Sequence, residues 1–421
     1  MKLKIVSSFF VFFALLNGFV EAQIVSSPYA IIGFGRQMPK GTIRNVAMGG
    51  VGISMGSVST INVINPALLA YNSFTAFEFA GIGEHKTLSS ATQTQKGFGA
   101  SLAYFGFVFP ASNRWKLGVG LRPFSLVNYS ASSVVKIQNA PNFVVQTLKG
   151  TGGVSQFYLS QSFLITKGVS VGLNVSYNFG SVNDERQSQL VDTYYRDRYV
   201  VGKFEQTNYK DFTVQPGAYF SIPISKNQYF HVGGVYEFKK KHRIEFFDAL
   251  QRKDVFNDLI VYSDTLFFDA KGSITFPSSF TVGMSYEKLG KFSIGFDFTK
   301  ENWSEYVSRS SSSLKDSQRI SVGGEFTPDF RSVSSYFKRI SYRLGFKFEQ
   351  LPINFAGKQL DDYSINTGLS LPMSKGFSSI NVAVSYGILD GKKIDAITEK
   401  YIRFHLGLAI NDRWFVKRKI N

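Results

Sequence analysis

The sequence predicts an all-β protein, a transmembrane antiparallel β-barrel of about 14 strands with an N-terminal hatch inside the lumen. Three observations carry this prediction. Apolar residues recur with a period of two in one stretch after another. Short turns alternate with long polar connections. The chain is also aromatic-rich without being apolar on average. It holds 42 Phe and 21 Tyr, 44% of its 421 residues are hydrophobic, and its mean hydropathy is only -0.04. A barrel wall accounts for that combination: half of each strand faces lipid and half faces the lumen, so the mean cancels.

Residues 1–22 read as a signal peptide. Lys2 and Lys4 supply the charged start, "IVSSFFVFFALLNGFV" the apolar middle, and Val20 and Ala22 the positions before a cut at Gln23. That apolar run is too short for a typical helical span, and no second run of about 20 uncharged apolar residues follows. An exported chain that crosses a membrane with strands is expected in the outer membrane of a Gram-negative cell. The chain has no cysteine, which excludes an acylated N-terminus, disulfides and thiolate metal sites. The net charge of +17 suits anionic headgroups or a plain solvated surface. Nucleic acid is not an expected partner of an exported chain.

Residues 23–73 are assigned to the hatch. The run "NVAMGGVGISMGSVSTINVINPALLAY" (45–71) has apolar residues but neither strand alternation nor a long helical period. Asn65 suits an N-cap, Pro66 the first helical position, and Ala67 opens a good helix-forming stretch. In a segment that precedes a barrel, such a turn can plug the lumen.

Residues 74–421 are assigned to the barrel. In 169–180, Val169, Val171, Leu173, Val175, Tyr177 and Phe179 share one face, opposite Ser170, Gly172, Asn174, Ser176, Asn178 and Gly180. Val382, Val384, Leu406 and Leu408 repeat the pattern near the C-terminus and should face lipid. Strands are expected near 74–83, 98–109, 115–130, 155–166, 169–182, 208–223, 228–241, 271–286, 291–301, 318–327, 338–350, 362–372, 377–388 and 399–411. The long connections fall near 84–97, 131–153, 182–206, 242–268, 302–317, 351–361 and 389–398, and the short turns on the other side.

A few residues stand out against that pattern. Pro123 lies inside the third expected strand, where it removes a ladder donor. The plain reading is a strand end near the rim; the functional one is a side opening around Arg122, Pro123 and Phe124. Arg343, Lys347 and Arg403 alternate with apolar residues and should point inward. Lumenal charges usually pair with each other or with water; the sharper reading is that one or two of these meet the carboxylate of an amphipathic ligand. "FKKKHR" (238–243) reads as a basic rim against lipid phosphate. The four histidines are isolated, and there is neither HExxH nor Gly-x-Ser-x-Gly. No catalytic residue, cofactor or metal is therefore expected, and the chain is not read as an enzyme.

The leading segment resembles the hatch of the FadL/TodX family of outer-membrane transporters for hydrophobic compounds. The resemblance rests on "AMGG" followed by Asn65, Pro66 and Ala67. It is joined by "FPSSFTVGMSYEKLGKFSIGFDFTKENWSEY" (276–306), "YRLGFKFEQLPIN" and "INTGLSLPMSKGFSSINVAVSYG". It implies passive uptake of hydrophobic or amphipathic molecules such as long-chain fatty acids, through a hatch and a lateral opening. It also implies outer-membrane lipid, lipopolysaccharide and a hydrophobic ligand as partners. Some relatives of that family do not transport. They serve as scaffold or shuttle subunits of outer-membrane protein export or assembly complexes, which is the rival expectation. The chain departs from other barrels at its end, where Phe415 is followed by six more residues.

Overall fold

A computed structural model describes residues 25–31, 35–137, 142–191, 198–308, 314–355, 358–373, 378–392 and 396–414. The expected signal peptide and Phe415 lie outside the described residues. Hairpins link β1 (Thr75–Ser89), β2 (Thr94–Pro110), β3 (Trp115–Lys136), β4 (Phe143–Thr166), β5 (Val169–Val191) and β6 (Tyr199–Ser225). β7 has two arms, Gln228–Glu237 and Lys240–Asp254, and so has β8, Ile260–Phe276 and Ser279–Lys288. β9 (Phe292–Glu301), β10 (Ser317–Phe326), β11 (Ser341–Phe355), β12 (Lys358–Pro372), β13 (Ser379–Asp390) and β14 (Thr398–Asp412) complete the wall. β14 pairs with β1 from Thr398↔Ser89 to Asp412↔Thr75, so the 14-strand barrel is closed and antiparallel.

The strand faces follow the alternation. Val171 and Leu173 of β5 are exposed, while Asn174, Ser176 and Asn178 just beyond them are buried. Leu406 of β14 is 63% exposed and His405 beside it 3%. The buried face is polar, and still it is packed rather than open to water.

Every expected strand is present, but several are longer than expected. β3 to β6 run 22, 24, 23 and 27 residues, against 10, 10 and 12 for β9, β10 and β13. Much of the connections expected at 131–153, 182–206 and 242–268 is strand that rises above the rest of the barrel. The reason is in the composition. Stretches such as "SVNDERQSQL" (181–190) are polar on both faces, because above the membrane water wets both sides. The ladder continues there while the apolar signal stops.

The two arms of β7 and of β8 break opposite each other. Glu237 pairs with Ser279 below the break and Lys240 with Phe276 above it. Pro277 lies in the break and has no N–H for the ladder, so the ribbon bends along that line.

The hatch holds a 3-10 turn (Pro28–Ile31), a two-residue strand (Arg36–Gln37), the short helix α1 (Ile43–Ala47) and a second 3-10 turn (Pro66–Tyr71). Thr42 opens α1, its N–H and its hydroxyl each donating to Asn45 Oδ1 at 3.0 Å. Met48, Val51 and Ile53 follow with no exposed surface. They pack against a wall stripped of side chains. A Cβ at Gly323 or Gly345 would overlap the Met48 backbone.

Candidate functional site

The Asn-Pro-Ala turn is built into the wall. Asn65 Oδ1 accepts the Ala67 N–H at 3.0 Å, as its N-cap character predicts. Its Nδ2 donates to the Ile53 carbonyl at 2.8 Å and to the Ala218 carbonyl of β6 at 3.1 Å. The Ala67 carbonyl accepts from Ser162 Oγ of β4 and Ser170 Oγ of β5, both at 2.8 Å. Gly172 of β5 lies so close that any Cβ there would overlap the Pro66–Ala67 peptide.

Ion pairs weld the hatch to the other side of the lumen. Arg44 of α1 and Arg343 of β11 share Glu325 of β10. Arg36 of the two-residue hatch strand and Arg403 of β14 share Glu84 of β1, and Lys86 lies between Glu84 at 3.3 Å and Glu399 at 3.2 Å. Lys347 donates to Glu349 at 2.9 Å and to Asp362 at 2.7 Å. Ser27 Oγ donates to Glu399. Each of the three cations considered for a ligand carboxylate thus already holds a protein carboxylate. Sequence reasoning missed the hatch partners Arg36 and Arg44. It also missed Glu84, which sat in an expected connection although β1 carries its inward alternation as far as Lys86.

Among the described residues, the β2–β3 and β6–β7 ladders are interrupted. β2 and β3 pair only from Phe105↔Leu121 to Pro110↔Lys116. Above Leu121 the hatch takes the place of β2: Arg36 and Gln37 pair with Leu126 and Ser125. The Met38 N–H donates to the Phe124 carbonyl at 3.0 Å and the Ser27 N–H to the Asn128 carbonyl at 2.9 Å. Pro123 sits where the β3–β4 register slips, between Pro123↔Ser155 and Ser125↔Val154. The slip changes which residues face inward. Lys116 and Arg122 are buried below it, Ser125, Val127 and Tyr129 above it. Arg122 donates to Gln156 Oε1 at 2.9 Å, and the Phe124 ring meets Phe276 at 6.1 Å.

The second interruption separates β6 from β7. Tyr209↔Ile244 is the last pair above it and Gly217↔Val235 the first below. Between them Asp211 accepts from Lys240 Nζ at 2.7 Å and from the Arg243 N–H at 3.1 Å. Lys240 also reaches the Phe212 carbonyl.

Two adjoining cavities lie behind these interruptions. One of about 190 Å³ is lined by charged groups such as Lys40 and Arg319 and by an apolar side of Trp303, Leu314 and Ile353. The other, of about 60 Å³, touches Gln37, Arg122 and Phe124 on one side and Asp211, His242 and Phe276 on the other. Gln37, Lys40, Glu237 and Trp303 border both. His231, which faces inward from β7, is held between Tyr219 OH at 2.7 Å and Glu287 at 3.1 Å.

A closed barrel of 14 antiparallel strands with an N-terminal segment filling its lumen is a FadL-like transmembrane barrel. Among solved structures, a Pseudomonas aeruginosa FadL homologue superimposes with a TM-score of 0.60 at 13% identity, over 90% of this chain and 99% of its own. The CymD monoaromatic hydrocarbon channel gives 0.57 at 14% identity, over 90% and 99%. The P. putida toluene transporter TodX gives 0.57 at 13%, over 89% and 99%. At these identities the likeness shows the fold alone. No curated protein matches the chain. The BamG family model matches residues 1–421, and the chain belongs to the BamG family. The resemblance to FadL/TodX therefore holds for the fold, while the family is BamG.

Proposed function

We propose that this is an outer-membrane channel through which small hydrophobic or amphipathic molecules leave the lumen sideways when the hatch withdraws. One observation carries the reading: the β2–β3 ladder ends at Leu121 and only hatch backbone closes the wall above it. Leu121 is six residues along β3 from Trp115. At roughly 3.3 Å per residue and a tilt of roughly 40°, it lies about 15 Å above the short turn. The apolar band of such barrels is about 25 Å tall, so the interruption opens toward lipid. Unpaired backbone facing lipid costs several kcal/mol, which is why the hatch strand is needed there. The cavity of about 190 Å³ matches a single aromatic ring, since about 150 Å³ holds benzene. A long acyl chain needs the hatch to move.

The second reading is a scaffold or shuttle subunit of an outer-membrane protein complex. The BamG family match favours it, and so does a lumen closed by buried ion pairs. The test uses the absence of native cysteine. Gln37 and Ser125 are antiparallel partners, within reach of a disulfide. In the Gln37→Cys/Ser125→Cys variant, uptake of radiolabelled toluene and oleate should stop on oxidation and return on reduction. Uptake that ignores the crosslink refutes a hatch-gated side exit. No uptake in any state leaves the scaffold reading standing.

A further inference from the structure

We infer that the opening between β6 and β7 is a separate entry site for acyl chains with an anionic head, taken from the outer surface of the membrane. This rests on the transport reading and concerns a different part of the wall. Four features meet there. The ladder is absent from Lys210 to Pro216. The break between the two arms of β7 and Pro277 in β8 lie opposite each other in the neighbouring ribbon. The smaller cavity reaches the opening, lined by Asp211 and Phe238 at its mouth and by Tyr209 and Phe276 within. A dense run of cations, Lys239, Lys240, Lys241 and Arg243, lies on the β7 edge.

The height of the opening sets the ligand's orientation. Pro216 is nine residues along β6 from its end at Ser225. By the same geometry that is about 23 Å above the short turns, at the upper border of the apolar band. A head held here sits among headgroups, and its tail points past a mixed polar and apolar lining toward Phe276 and Trp303.

The closing contact names the chemistry of the head. Lys240 Nζ and the Arg243 N–H converge on one carboxylate, Asp211. Asp211 thus occupies the position of an anionic head and keeps the opening shut when no ligand is bound. Exchange of one carboxylate for another at a half-exposed cation costs little, because water and salt screen such a pair. Lys240 is 38% exposed, so a head arriving from outside can reach it. A carboxylate and a phosphate monoester share this recognition.

The test is direct binding to the purified, full-length barrel in nanodiscs, which needs no uptake. Oleate, a lysophosphatidate with the same chain, and oleyl alcohol serve as probes. A diazirine near the tail end of oleate should label the peptides holding Phe276 and Tyr209. Lys240→Gln should weaken oleate binding at least about tenfold and leave oleyl alcohol unchanged. Asp211→Asn, which removes the competing carboxylate, should strengthen it. Lysophosphatidate binding more tightly than oleate assigns the site to phospholipid-derived heads, the reverse to free fatty acids. Equal binding of alcohol and acid, or labelling confined to β2, β3 and the hatch, overturns the proposal. Should the hatch crosslink abolish uptake while oleate binding persists, both readings stand. Labelling at Phe276 combined with uptake indifferent to the crosslink upholds the entry site and refutes the hatch exit. If Lys240→Gln loses heat-modifiable folding, Lys240→Arg with the Asp211→Asn arm decides.

Discussion

The break above Leu121 is closed by backbone; the break beside Asp211 is closed by side chains. In the first, four hatch residues bond to β3 from Phe124 to Asn128, and the hatch itself is tied to β1, β10 and β14 through Glu84, Glu325 and Glu399. Opening it means moving a segment with a fully buried apolar side at Met48, Val51 and Ile53. In the second, one carboxylate must part from Lys240 and the Arg243 N–H, and Lys240 from the Phe212 carbonyl. By strand rise and tilt the first begins about 15 Å above the short turns and the second about 23 Å. Where lipid surrounds an unpaired edge, cover must be continuous and dry. At headgroup level water satisfies the edge and a latch is enough.

The comparison can be broken at several points. Deleting residues 45–70 removes the cover of the lumen and loosens that of the first break. The expected result is a heat-modifiable barrel with large, steady conductance in planar bilayers, against little for the intact chain. An unchanged conductance refutes the idea that the hatch closes the lumen.

A smaller effect tests which face meets lipid. Arginine at Leu406, outward and 63% exposed, should cost about 2–4 kcal/mol in reversible urea unfolding from liposomes. A wet lumen would make arginine at Ser176 or Asn381 cheap. Both are instead 3–4% exposed in a packed interior, so overpacking of about 1–3 kcal/mol is expected there too. If the inward substitutions prove free, the lumen is looser than described.

Asn65→Ala removes a cap and two bonds to buried carbonyls. It should cost about 1–3 kcal/mol locally, seen as faster hydrogen exchange at Pro66–Tyr71 with the wall strands unchanged. Exchange that speeds up throughout the barrel would show the turn to be part of the wall's stability instead.

The smallest effect belongs to the latch. Asp211→Asn should shift the unfolding midpoint by less than about 1 kcal/mol and leave conductance as it was. A loss of several kcal/mol would mean that the second break is sealed as firmly as the first.

The sequence alone determined how many strands cross the membrane, which face of each meets lipid, and where the hatch turn lies. Those are local properties. Alternation at Val171, Leu173 and Val175 reports the pleat, and Asn65 followed by Pro66 reports a cap. It could not show that β3 to β6 continue upward, because a strand wetted on both faces has no apolar period to read. Pro123 pointed to a weak place in the ladder, yet Pro123 keeps its partner Ser155 in β4, and the missing partner is on the β2 side. The Arg343, Lys347 and Arg403 faces were legible, but their carboxylates were not. Glu325 is 18 residues from Arg343 and Glu84 is 319 from Arg403. Which strand lies beside which height of its neighbour, and which charges then meet, depends on register and closure of the whole barrel. Periodicity within one strand carries no information about that, so the two breaks, their closures and the cavities between them were decided only by the tertiary structure.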